Sequence, residues 1–262
     1  MRRLRLFELE DQAWFPRAIR DVGTDHLRIM WELGAYQPIV SRLNEALVTT
    51  GSRTIVDLCS GGGGPIVAVH RALERAGLVV DITLTDKYPN VGAFQYANKR
   101  SAGRIRFVDQ PVDAVEVPEH LSGFRTMFAA LHHFSPEAVK QVLQDAVAKR
   151  QPIALFDITR GMLPPPSMVI LGNPLGILLV SPLVRPFRWS RIFWTYLLPI
   201  VPLYMTWDAF ISEVHLHSVQ DLQELVTSLP SNDYMWQVGS EKFPRSITYV
   251  LGYPQRNSNQ EN

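Results

Sequence analysis

One cysteine, Cys59, occurs in 262 residues, which excludes a disulfide within the chain and leads us to expect a reducing compartment. No sign of charge is in excess: 26 Lys and Arg stand against 25 Asp and Glu, a net charge of +1. Without a global positive field, nucleic acid is not an expected partner. Met1 to Phe7 holds three Arg but no apolar core of the kind a secretory signal requires, so a cytoplasmic location is expected. No Cys/His grouping has metal-ligand spacing, so no metal is expected, and no Ser-His-Asp set stands out.

What is present begins at Ile55-Val56-Asp57-Leu58-Cys59-Ser60, which runs into Gly61, Gly62, Gly63, Gly64 and Pro65. The pattern predicts a strand, a glycine loop and a helix, with Ile66, Val69, His70 and Leu73 at helical spacing and Gly77 as the stop. A glycine loop lets a ligand approach the backbone closely. No Lys follows the glycines, which weakens a P-loop reading. A dinucleotide fingerprint needs a small residue at its third glycine position, and Ile66 or Val67 stands there. A carboxylate at a strand tip and a loop backbone, with no pyrophosphate between them, fit better.

The run Asp57-Leu58-Cys59-Ser60-Gly61-Gly62-Gly63 resembles the first motif of the class I S-adenosylmethionine-dependent methyltransferases, departing from it at Cys59, where that family usually has glycine. Further segments follow in family order. Ile82 to Asp86 reads as a second strand ending in an acid, Pro89 to Arg100 as a helix, and Arg104 to Val108 as a third strand. Met127 to Leu131 reads as a fourth strand running into His132-His133-Phe134, Ser135-Pro136-Glu137 as a helix cap, and Pro152 to Ile158 as a fifth strand. The resemblance implies an α/β, Rossmann-like fold with a seven-stranded, mostly parallel sheet and helices on both faces. It implies S-adenosyl-L-methionine as cofactor, held by Asp57, Cys59, Ser60, Gly61 and Gly63, with Asp86 on the ribose hydroxyls and Asp113 (or Asp109) at the adenine. His132 and His133 are candidates for the acceptor side, as pocket walls or as bases.

The expected organisation is a helical extension over 1–50, a cofactor-binding core over 51–158, an insert over 159–217, a last helix with strands 6 and 7 over 218–254, and a disordered tail over 255–262. In the extension, Trp14, Phe15, Ala18 and Ile19 form one apolar cluster, and Leu27, Met30, Trp31 and Leu33 another. By the resemblance, the Trp14-Phe15 region is either part of a lid or a helix packed on the sheet. Ser218-Val219-Gln220-Asp221 resembles a capping box.

The insert is the most individual segment. Met162 to Val184 and Ile192 to Trp207 contain no charged residue, and Arg185, Arg188 and Arg191 lie between them. Prolines 164, 165, 166, 174, 182, 199 and 202 argue against two regular spanning helices, because each interior proline removes a hydrogen bond that lipid cannot replace. Two readings stay open. In one, residues 162–207 contact a membrane surface through the Arg trio and Trp189, Trp194, Tyr196 and Trp207, making the protein peripheral on the cytoplasmic face of the membrane. In the other, the insert lines an apolar pocket, with Asp208 facing the acceptor. The expected function is methyl transfer to an apolar small molecule or lipid-like acceptor. The alternatives are a non-catalytic cofactor-binding or membrane-surface protein of the same fold, and a nicotinamide-dependent oxidoreductase.

Overall fold

The computed structural model describes residues 6–32, 36–158, 166–230, 233–242 and 246–255. Most of the expected disordered tail, as well as Leu33, Pro164 and Pro165, lies outside these residues. Seven strands form one sheet in the order β3-β2-β1-β4-β5-β7-β6. They are β1 (Thr54–Leu58), β2 (Asp81–Leu84), β3 (Ile105–Phe107), β4 (Phe124–Phe128), β5 (Ile153–Ile158), β6 (Tyr234–Lys242) and β7 (Ser246–Pro254). The first five pair in parallel, and β7 runs antiparallel between β5 and β6. This is the expected seven-stranded, mostly parallel α/β sheet.

Alternation along the strands splits the core into two layers, as a sheet covered on both faces requires. Ile55, Ala154 and Phe156 face one layer, built with α2 (Gln37–Thr50), α3 (Ile66–Arg75) and α4 (Val91–Arg100). Val56, Ile153 and Leu155 face the other, built with α5 (Pro136–Ala148) and α9 (Val219–Thr227). The caps read from sequence are present. Ser135 accepts from the Ala138 N–H with Pro136 behind it, and Ser218 and Asp221 form a reciprocal capping box.

Strand β4 departs from the sequence reading. It starts at Phe124, three residues before Met127, and ends before Leu131. Ala129 takes a left-handed conformation (φ 50°), which breaks the strand and turns Leu131–His133 into a single 3-10 turn. His132 and His133 thereby sit on a sharp turn at the carboxyl edge of the sheet.

The insert is helical. Pro166–Val180 forms α6, Trp189–Ile192 forms α7, a π-helical turn spans Phe193–Leu197, and Ile200–His215 forms α8. Pro174 lies inside α6, so the prolines did not prevent helix formation. Among the described residues, no helix is long and apolar enough to cross a membrane. The insert instead packs on α1 (Arg17–Glu32). Phe15, Ile19 and Val22 form a third core with Ile177, Val201, Tyr204 and Met205. Phe15 meets Tyr204 edge-on at 4.9 Å while Trp14 stays exposed, which makes this region a structural contact with the insert.

The Arg trio requires a correction to the surface-phosphate reading. Arg191 is 1% exposed and donates at 2.7 Å to Asp25, itself 0% exposed. Arg188 lies 3.3 Å from the same carboxylate and donates to Asn90 Oδ1 at 3.1 Å. Only Arg185 of the three turns its side chain to solvent. The charge read as facing a membrane clamps the insert to α1 instead.

Candidate functional site

A cavity of about 310 Å³ opens at the carboxyl ends of β1, β2 and β4, the edge where open α/β sheets bind ligands. The glycine loop forms its floor. Cys59 (φ 54°), Gly61 (φ 53°), Gly63 (φ 89°) and Gly64 (φ 41°) all take positive φ, so Cys59 adopts the backbone shape for which glycine is the natural residue. Gly62 is required for a different reason: a Cβ there would run into the Thr24 carbonyl of α1, which crosses directly over the loop.

Asp86 lies at the tip of β2 and holds this loop. Its Oδ2 accepts from the Gly61 N–H at 2.7 Å and its Oδ1 from the Tyr88 N–H at 2.7 Å. Burial raises its pKa, and these two N–H groups oppose the rise. Each oxygen keeps a further lone pair for a ligand. Asp113 lines the same cavity; burial raises its pKa, but the hydrogen bond from Lys87 at 2.9 Å, the Val115 N–H and the Lys87 charge together outweigh this and lower it.

Cys59, Ser60 and Gly61 line the cavity as well. Burial, reinforced by the nearby carboxylates of Asp86 and Asp57, pushes the Cys59 thiol well up, which keeps it protonated and a poor nucleophile. Asp57 and Gly63 do not line the cavity. Asp57 stands behind the loop, accepting from Thr126 Oγ1 at 2.6 Å and Ser60 Oγ at 2.7 Å, and burial raises its pKa to about 7. Its place is to shape the loop from beneath.

The N-terminal segment closes one side. Glu10 and Asp11 line the cavity together with Arg20 and Arg28 of α1. Asp208 is what fastens this segment: it accepts from the Leu9 and Glu10 N–H groups at 2.7 and 3.1 Å. Asp208 lines neither this cavity nor the neighbouring one, and burial raises its pKa to about 7.

A second, wider cleft of about 1500 Å³ adjoins the first, and Asp11, His133 and Phe134 line both. His133 Nδ1 lies 3.0 Å from Asp11 Oδ2 and 3.2 Å from Glu8 Oε2, and its Nε2 lies 3.7 Å from Glu10 Oε1. Burial alone would lower its pKa, but the carboxylates of Glu8, Asp11 and Glu10 lift it well above the usual histidine value. A histidine that keeps its proton makes a weak base. Burial opposes protonation of His132 too, as does the neighbouring His133, but the charge and hydrogen bond of Asp157 together with the Glu8 charge raise the pKa. His132 faces only the second cleft.

Sequence spacing had no route to Glu8, Glu10, Asp11 or Arg28, which reach the site from a segment far upstream of the glycine loop. The acid-rich run Glu8-Leu9-Glu10-Asp11 was the signal available, and by itself it reads as a solvated turn.

No family model matches the sequence, and no curated protein matches it. Solved structures do share its fold. The plantazolicin methyltransferase BamL, solved in complex with a triazolic desmethylPZN analog and SAH, superposes with a TM-score of 0.50 at 10% identity, over 90% of this chain and 97% of its own. PigF, solved with SAH, gives a TM-score of 0.50 at 14% identity over 92% of this chain; the match spans 62% of PigF. With its strand order, its antiparallel β7 and its cavity at the tips of β1, β2 and β4, the chain has the Rossmann-like fold of the class I methyltransferases.

Proposed function

We propose that this protein binds S-adenosylmethionine in the smaller cavity and transfers its methyl group to an apolar small molecule or lipid-like acceptor. The observation that carries the reading is the Asp86 carboxylate, fixed at the strand tip beside a glycine loop whose backbone lines the same cavity. Asp86 fits the ribose hydroxyls, since an ionised carboxylate only accepts hydrogen bonds. Asp113 fits the adenine end, and Arg28 supplies positive charge for the donor's own carboxylate. BamL and PigF were solved with SAH, the demethylated form of this donor, which supports the choice of cofactor. The nicotinamide alternative fits poorly, because Ile66 and Val67 are both buried in the sheet-to-helix core where a dinucleotide site needs a small residue.

Transfer is a direct displacement: an acceptor lone pair forms the new bond to the methyl carbon as the sulfur–carbon bond breaks, and its electron pair returns to sulfur. The protein contributes alignment, with the acceptor entering through the second cleft and meeting the donor beside His133 and Phe134. Incubating the chain with isotopically labelled donor and fractionated metabolites and lipids tests this. Label is expected in an organic-soluble product, and label found only in water-soluble product or in none contradicts the acceptor class.

A lipid-like acceptor is supported by the outer face of the insert. Leu179, Leu183, Trp189, Leu197 and Leu203 are each at least 67% exposed, and Phe187, Tyr196 and Leu198 are exposed in the same segment. Single exposed apolar side chains are ordinary, but so many within one segment of some twenty-five residues favour an interaction surface. Because Arg188 and Arg191 are turned inward, contact with a bilayer rests on apolar and aromatic side chains. The full chain is expected to float with phosphatidylglycerol-containing vesicles, with little loss at high salt, and Trp189→Glu with Leu197→Glu should abolish flotation. Wild-type protein remaining in the dense fraction would end the membrane reading.

A further inference from the structure

The acceptor side holds groups that methyl displacement does not require. Glu8 is 2% exposed, and its Oε1 has no hydrogen-bond partner among the described residues, only His215 Nδ1 at 3.8 Å. A buried carboxylate oxygen without a hydrogen bond is costly unless a cation completes it. The Glu8 carboxylate faces His133 and His132, and one ligating atom from each of the three residues lies within 4.8 Å of the other two. Small side-chain adjustments bring such a set to the roughly 2.0–2.2 Å of a metal–ligand bond.

The orientation of His132 supports the same reading. Its Nδ1 and its backbone N–H both bond to Asp157 Oδ2, at 2.8 and 2.9 Å. Asp157 thus fixes the tautomer and leaves Nε2 as the atom available for a ligand. A carboxylate behind an imidazole is the arrangement by which metal sites orient a histidine and raise its basicity. Two imidazoles and one carboxylate form a three-ligand set that leaves coordination positions open, here toward the wide cleft that Glu8, His132 and His133 line together.

We propose that Glu8, His132 and His133 bind one divalent transition-metal ion, positioned by Asp157, at the junction of the donor cavity and the acceptor cleft. The ion would place positive charge beside the Glu8 and Asp11 carboxylates, and because a ligating imidazole must be neutral, its binding competes with protons. If the proposed methyl transfer holds, an acceptor hydroxyl bound at an open position loses its proton to water, and its oxygen lone pair then attacks the donor methyl. That use of the ion depends on the proposed function; the binding of the ion does not.

The test uses the tag-free full chain, stripped with a chelator and then titrated with Zn²⁺ by calorimetry and with Co²⁺ by visible absorption. One equivalent per chain and cobalt d–d bands are expected. Glu8→Gln and His132→Gln should each weaken binding about tenfold or more, and Asp157→Asn about ten- to a hundredfold through ligand orientation. Less than a stoichiometric amount bound by the wild type, no cobalt bands, or equal affinity in a Glu8→Gln/His132→Gln double variant would overturn the proposal and leave His133 as a cation neutralised by carboxylates. The wild-type titrations decide even if a variant fails to fold. Donor binding measured on the same samples separates failure of the metal site from failure of the methyl-transfer reading.

Discussion

Asp25→Ala is expected to destabilise the protein by about 3–5 kcal/mol, the usual cost of removing one partner from a buried ion pair. Asp25 is 0% exposed and sits under two guanidinium groups. Arg191 donates to the Val184 and Pro186 carbonyls as well, so it cannot swing out to water without breaking those bonds. Removing the carboxylate strands a buried positive charge between α1 and the insert. Because α1 also crosses the glycine loop at Gly62, donor affinity should fall along with stability. Urea denaturation followed by circular dichroism reads the first effect and calorimetry with the donor the second. Replacing the pair together, Asp25→Leu with Arg191→Met, should recover most of the lost stability, since well-packed apolar groups often substitute for a buried ion pair. A single variant as stable as wild type would show that the clamp contributes nothing.

The second large effect is expected at Asp86. Asp86→Ala removes a charged acceptor from the ribose and is expected to cost about 1.5–3 kcal/mol of donor binding, roughly ten- to a hundredfold in Kd. The loop suffers too, because the Gly61 and Tyr88 N–H groups lose their acceptor. The sheet beneath should be unaffected, since Asp86 lies beyond the end of β2 at Leu84. Circular dichroism should therefore match wild type while calorimetry shows weaker binding; unchanged affinity would remove Asp86 from the donor site.

The parts of this architecture that were legible in the sequence rest on local rules. Apolar runs, acids at strand tips, glycines needing positive φ, and helix caps are fixed by neighbours in the chain, and β1, β2, α5 and α9 follow them. The end of β4 was misread because Leu131 looks like a strand residue, while the left-handed turn at Ala129 that stops the strand has no sequence signature. The site was only half legible for a related reason. Asp57 and Asp86 look alike as strand-end acids, yet one is consumed by Thr126 and Ser60 beneath the loop and the other faces the cavity. Asp208 looked like an acceptor-facing acid, and it is occupied by two backbone N–H groups of the N-terminal segment. The inward turn of Arg188 and Arg191 depends on Asp25, which carries no local sign of being buried. Each of these is a long-range pairing, set by which elements the topology brings together.

The central claim is that the cavity at the tips of β1, β2 and β4 holds an adenosine bearing an activated methyl. Isothermal calorimetry of the full chain with S-adenosylmethionine, followed by competition with S-adenosylhomocysteine and with NADH, tests it most directly. The account predicts one donor per chain, displaced by S-adenosylhomocysteine and indifferent to NADH; no binding of either adenosyl compound, or saturable binding of NADH in their place, would contradict it.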